Sequence, residues 1–191
     1  MSIKLNNESS YELPEGFLLE CDQLADYLLL QEQAPLNAVV SITFVDNEEI
    51  AALNQEYRDK AEPTDVLSFP CDDAPEFNSE ATAEALGDDD PSVLYWADFD
   101  AAEDAAPVLL GDVVIAPHVA VAQAEALDKD IFDELRLLLV HGILHLLGYD
   151  HEDDDTQAEE MEQREKDILS DWAELNEGES SYSTCGGGCC G

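Results

Sequence analysis

The sequence is poor in basic residues. Among its 191 residues, 7 Lys and Arg stand against 46 Asp and Glu, and the formal net charge is −39 at pH 7. Seven cations cannot form the wide positive surface that grips nucleic acid through many phosphate contacts, so any contact with RNA or DNA is expected to be local. The charge reflects either acidic segments alone or adaptation to concentrated salt, where screening weakens self-repulsion.

Long apolar runs are also missing. No stretch reaches the roughly 18 apolar residues that a membrane-spanning helix needs, and the amino-terminal residues lack the basic and then apolar order of an export signal. Hydrophobic residues nevertheless make up 45% of the chain, which is enough to fill a core. We therefore expect a cytoplasmic globular protein without a membrane partner.

Hydrophobic periodicity indicates an α+β fold, a small mixed sheet of about four strands covered by helices. The patterns predict strands at 38–45, 65–69 and 108–116, with a further short strand at 3–5. They predict helices at 17–31, 48–57, 117–127, 130 or 133 to 147, and 153–175. The helix that ends at Leu147 is apolar nearly all round, so it should be the buried central helix.

Two segments stand outside this pattern. Residues 72–107 hold twelve acidic residues, no basic one and three prolines, which is typical of a mobile acidic insertion. Residues 176–191 form a Gly-rich tail with Cys185, Cys189 and Cys190, one thiol short of a closed zinc site. The predicted organisation is a single domain over 1–175, with that insertion, followed by a flexible tail.

Three of the four histidines lie close together in the sequence. His141 and His145, four residues apart on the predicted buried helix, share one helix face. Gly148 permits a left-handed turn that ends the helix, so His151 can approach the same point from beyond it. Unpaired imidazoles are costly in an apolar core, and three neutral nitrogens favour Zn²⁺ with a fourth position open to water. We predict one zinc ion per chain and catalysis rather than a structural metal site.

The spacing also matches the His-Glu-x-x-His-x-x-Gly-x-x-His pattern of one metalloprotease class, with one exception. Gly142 stands where that pattern has its general-base glutamate. Peptide hydrolysis by that route lacks a proton acceptor, so a zinc-dependent protease or amidohydrolase is only the second interpretation. A non-enzymatic protein that uses zinc structurally is the third.

Three motifs resemble the bacterial YbeY endoribonucleases. In chain order they are the run from Leu53 through Tyr57-Arg58 to Pro70, Leu110-Gly-Asp-Val-Val-Ile115, and His141-Gly-Ile-Leu-His-Leu-Leu-Gly-Tyr-Asp-His151. The resemblance spans roughly residues 38–170 apart from the acidic insertion. It implies a zinc-dependent endoribonuclease that acts on single-stranded ribosomal RNA, in 3′-end maturation of the 16S molecule and in quality control of the 70S ribosome. Ribosomal or ribosome-associated proteins are possible partners.

The resemblance also assigns roles to residues. It implies His141, His145 and His151 as metal ligands and Arg58 as the catalytic arginine. A guanidinium suits that role because it binds phosphate through two parallel hydrogen bonds, although a cation at this helix end also complements the helix dipole. Asp112 and Asp150 are possible partners that hold a ligand imidazole, with turn chemistry and solvated charge as the alternatives.

Overall fold

The computed structural model describes residues 1–71, 106–149 and 155–176. Most of the predicted acidic insertion, the Cys-containing tail, Asp150 and His151 lie outside these residues. The described elements, in chain order, are β1 (Ser2–Asn7), α1 (Glu15–Gln31), β2 (Ala38–Phe44), α2 (Asn47–Arg58), β3 (Val66–Pro70), β4 (Val108–Ile115), α3 (Pro117–Leu127), α4 (Ile131–Leu146) and α5 (Asp155–Leu175).

The four strands form one mixed sheet in the order β1-β2-β4-β3, which confirms the predicted α+β fold. The β1, β2 and β4 strands are parallel, whereas β3 pairs antiparallel with β4 at the edge of the sheet. The prediction ended β3 before Pro70, but the strand includes it. A proline is tolerated there because an edge strand has one row of amides without a ladder partner.

The two faces of the sheet are covered unequally. On one face, α1, α4 and α5 pack over the main core, whose largest buried side chains include Phe17, Phe44 and Leu139. On the other face, Ile50 of α2 packs in a small cluster with Leu67 of β3. Successive residues of a strand point to opposite faces, so β3 and β4 separate the two layers.

Helix α4 is the buried central helix. Asp130 begins it by accepting a hydrogen bond from the Phe132 amide at 2.8 Å, and Gly148, at φ +92°, follows its last turn in the left-handed region. Nine of its sixteen residues are buried, which agrees with an apolar sequence on nearly every side. No helix in the described ranges is both long and apolar enough to cross a membrane.

Candidate metal centre

His141 and His145 are brought together on α4. Their Nε2 atoms lie 3.1 Å apart, with the ring planes inclined at 81°. Both side chains are partly exposed, whereas the three residues between them are buried. The i and i+4 spacing therefore places both imidazoles on the one face of α4 that reaches solvent.

Glu165 of α5 lies behind His141. Its Oε1 atom is 2.7 Å from His141 Nδ1, and the Glu165 side chain is 11% exposed. An ionised carboxylate can only accept, so His141 donates its Nδ1 proton and keeps the Nε2 lone pair for a ligand. A carboxylate in this position typically orients a metal-binding imidazole and increases its basicity.

The histidine pair could hold a metal ion, because the two Nε2 atoms are close enough for both to reach one ion. The described residues hold no group of three or more His, Cys, Asp or Glu side chains arranged for a metal. The third ligand predicted from the sequence, His151, lies outside those residues, so the pair is the described part of the predicted site.

Gly142, between the two histidines, packs directly against the sheet. A Cβ atom added there would lie 2.5 Å from Val113 Cγ1 and 3.3 Å from Ser68 Oγ. Ser68 also donates a hydrogen bond to the Gly142 carbonyl at 3.1 Å. A glutamate at this position would collide with β4 and point into the core, so packing excludes the general base of the protease pattern from residue 142.

A buried polar network fixes the turn that follows α4. Glu32, with its side chain 6% exposed, accepts from Tyr149 Oη at 2.8 Å and from Arg164 Nε at 2.5 Å. Burial alone would lower the pKa of Arg164, but its hydrogen bond and charge interaction with Glu32 outweigh this and raise the pKa. The network joins the end of α1, Tyr149 in the turn after α4, and α5.

Arg58 lies on the opposite side of β3 from the histidines. It is the last residue of α2 and is exposed. Its neighbour Tyr57 packs against Phe69 of β3, with the ring centroids 4.9 Å apart. Ser68, one residue earlier, contacts α4 at Gly142. Arg58 and the histidine pair therefore flank the same edge strand from its two faces.

Asp112 does not hold either described imidazole. It is exposed, and its neighbour Val113 points at α4, so strand alternation turns Asp112 towards the opposite face. Glu165 occupies the position that the sequence analysis considered for Asp112. Asp150, the other carboxylate considered there, lies outside the described residues.

This chain is similar in sequence and in fold to known proteins. A protein 39% identical to this chain is the Endoribonuclease YbeY of Acidothermus cellulolyticus, matched over 90% of this chain and 92% of that protein. The Endoribonuclease YbeY of Bacillus licheniformis is 37% identical over 89% of this chain and 95% of its own length. The solution structure of TM1509 from Thermotoga maritima shares the fold, with a TM-score of 0.59 and 24% identity over 97% of this chain and 99% of that one.

The family model described as Endoribonuclease YbeY matches residues 4–173, which include most of β1, the other three strands, the histidine pair, Arg58 and Glu165. The match is therefore wider than the region, 38–170, over which the motifs alone carry the resemblance. This chain belongs to the Endoribonuclease YbeY family.

Proposed function

We propose that this protein is a zinc-dependent endoribonuclease that cuts single-stranded ribosomal RNA. Its task would be maturation of the 3′ end of 16S RNA and quality control of the 70S ribosome, in contact with ribosomal proteins. The observation that carries the proposal is the histidine pair, with Nε2 atoms 3.1 Å apart and Glu165 fixing the Nδ1 proton of His141. His151 would complete the ligand set.

The residues divide the chemistry between the two sides of β3. When bound, zinc would supply a Lewis acid that stabilises charge on a phosphate oxygen. Glu165 holds the proton on His141 Nδ1, so Nε2 is the nitrogen of His141 that would bind the ion. Arg58, exposed at the end of α2, would bind the phosphate as its negative charge increases towards the transition state.

Two routes of attack fit this arrangement. Either the 2′-hydroxyl of the RNA attacks the adjacent phosphorus, or a water molecule does. The two routes leave different termini, because internal attack gives a 2′,3′-cyclic phosphate. The termini of the first product, before further hydrolysis, would distinguish the routes.

The experiment that tests the function combines elemental analysis with cleavage of a single-stranded ribosomal RNA fragment at several KCl concentrations. His141→Ala should abolish zinc uptake and cleavage, whereas Arg58→Ala should retain zinc and lose turnover. His118→Ala is the matched control. That exposed histidine contacts Ser10 on another part of the surface, so the variant should retain zinc and activity.

Other outcomes would favour the other functions. Zinc binding with RNA that stays intact would indicate a non-enzymatic assembly factor, and cleavage of a peptide library would indicate an amidohydrolase. The collision expected of any side chain at Gly142 argues against the latter. Loss of zinc in Arg58→Ala would show that Arg58 supports the structure rather than the reaction.

A further inference from the structure

Most of the basic residues are already engaged. All seven Lys and Arg residues fall within the described ranges, and four form ion pairs: Lys129 with Glu134, Arg136 with Glu20 and Asp133, Arg164 with Glu32, and Lys166 with Glu162. The three that form no ion pair with a described residue are Lys4, Arg58 and Lys60. Since a paired cation must break its ion pair to bind a phosphate, these three are the cations most available to a polyanion.

Two of the available cations, Arg58 and Lys60, lie close together at the end of α2. Asp59 between them adopts the left-handed conformation at φ +57°, which reverses the chain. Buried Asn54 fixes the backbone beyond Asp59, because its carbonyl accepts from the Lys60 amide at 3.3 Å and its side-chain amide donates to the Glu62 carbonyl at 2.8 Å. The backbone that presents Lys60 is therefore held in place before any ligand arrives.

An aromatic ring lies beside these cations. Tyr57 is 62% exposed, although its ring contacts Phe69 at an interplanar angle of 62°. Asn54, one turn earlier on α2, is buried in contrast. An exposed aromatic ring that packs on one side against the protein, next to cations on a fixed backbone, is typical of a surface that binds single-stranded nucleic acid.

We infer that Tyr57, Arg58 and Lys60 form the RNA-docking surface of the protein, on which an unpaired base stacks against Tyr57 and the next phosphate binds Lys60. The inference rests on the proposed function and adds two residues to it. We name this set the α2 docking surface. Stacking requires a base that is out of a helix, so this surface would select single strands.

The charge around the surface limits what it can hold. Glu56, Asp59 and Glu62 belong to the same segment, and none forms an ion pair with Arg58 or Lys60. These three carboxylates outnumber the two cations, so a duplex that needs many phosphate contacts would be repelled. A short single strand, which crosses β3 towards the histidine pair, is the occupant that fits.

The test is binding of a short single-stranded oligoribonucleotide with 2′-O-methyl groups, its intactness checked on a gel, to the zinc-loaded protein across a KCl series. Lys60→Ala should weaken binding and reduce the slope of log K against log salt by about 0.7, the value for one phosphate on a single strand. Tyr57→Ala should weaken binding about ten-fold with the slope unchanged, and Tyr57→Phe should retain the affinity. Lys4→Ala is the matched control, since Lys4 is also exposed and pairs with no carboxylate of the described ranges but lies on β1, at the opposite edge of the sheet.

Tyr57→Leu keeps an apolar contact with Phe69 and separates stacking from folding. It should melt like the wild type and bind as weakly as Tyr57→Ala. The inference is overturned if Lys60→Ala and Tyr57→Leu bind the oligonucleotide like Lys4→Ala while the wild type cleaves RNA. A wild type that neither binds nor cleaves RNA would overturn the proposed function itself.

Discussion

Helices α4 and α2 lie on opposite faces of the edge strand β3, and they build their parts of the site in different ways. The polar groups of α4 have partners from distant parts of the chain, as with His141 and Glu165. Arg58 and Lys60 of the α2 docking surface form no ion pair within the part of the chain that the structure describes, and their surroundings fix mainly the backbone. The difference suggests that metal binding depends on tertiary packing, whereas RNA docking depends on charges that the fold leaves unpaired.

Glu32, which joins α1, Tyr149 and α5, should show the largest effect of the tertiary packing on the α4 side. Glu32→Ala leaves the Arg164 guanidinium without its carboxylate and should lower the free energy of unfolding by about 3 kcal/mol. Chemical denaturation of the metal-free protein measures this. Tyr149→Phe, which removes one hydroxyl from the same network, should cost only about 1 kcal/mol. Equal losses would mean that the ion pair contributes nothing.

Gly142 tests the packing of α4 against the sheet. Gly142→Ala should lower the free energy of unfolding by about 2 kcal/mol, because its Cβ would lie 2.5 Å from Val113 Cγ1. Val113→Ala removes that methyl group, so the double variant should be more stable than the sum of the two single losses predicts. Strict additivity of the losses would place the strain elsewhere.

Glu165 tests whether partners behind the ligands tune the metal. Glu165→Ala should weaken zinc binding by about 10- to 100-fold, because His141 loses the acceptor that orients its ring. Competition with a chromophoric chelator gives this affinity without an activity assay. Glu165→Gln retains an acceptor and should recover part of the loss.

Glu162→Ala is the control on the same helix, since Glu162 forms an exposed ion pair with Lys166 and is not in contact with His141. A zinc affinity that falls equally in the two alanine variants would show a general effect of altered charge on α5. Such a result would mean that Glu165 has no specific role in zinc binding.

The sequence predicted what depends on local spacing. The histidine pair, the left-handed Gly148 and the bounds of the helices to within about two residues follow from periodicity and capping. Glu165 could not be predicted in this way, because it meets His141 across 24 residues through tertiary packing. A signal was present nonetheless. Glu165 lies in the apolar stripe of α5 with Met161, Ile168 and Trp172, where a carboxylate needs a partner.

The sequence alone also does not show which hydrogen-bond donor a side chain binds when several compete for it. Asp46 is at the N-cap position of α2, but its side chain accepts from the amide and hydroxyl of Ser10 at 2.8 Å instead of capping the helix. Asp65, in contrast, accepts from the amide of the next residue, Val66, and also from Gln123 of α3.

Asp65 should give the smallest of these effects on the free energy of unfolding. Burial raises its pKa, but hydrogen bonds from Gln123, the Val66 amide and Thr64 outweigh this and hold the pKa below the usual 3.8. The carboxylate therefore stabilises the fold at pH values above about 3.8, and this stabilisation is lost as the pH falls through the lower folded-state pKa. Asp65→Asn should cost about 1 kcal/mol at neutral pH, and the difference from the wild type should shrink in acid. Urea denaturation at several pH values measures this difference in the free energy of unfolding. A difference that grows in acid would mean that the ionised carboxylate destabilises the fold.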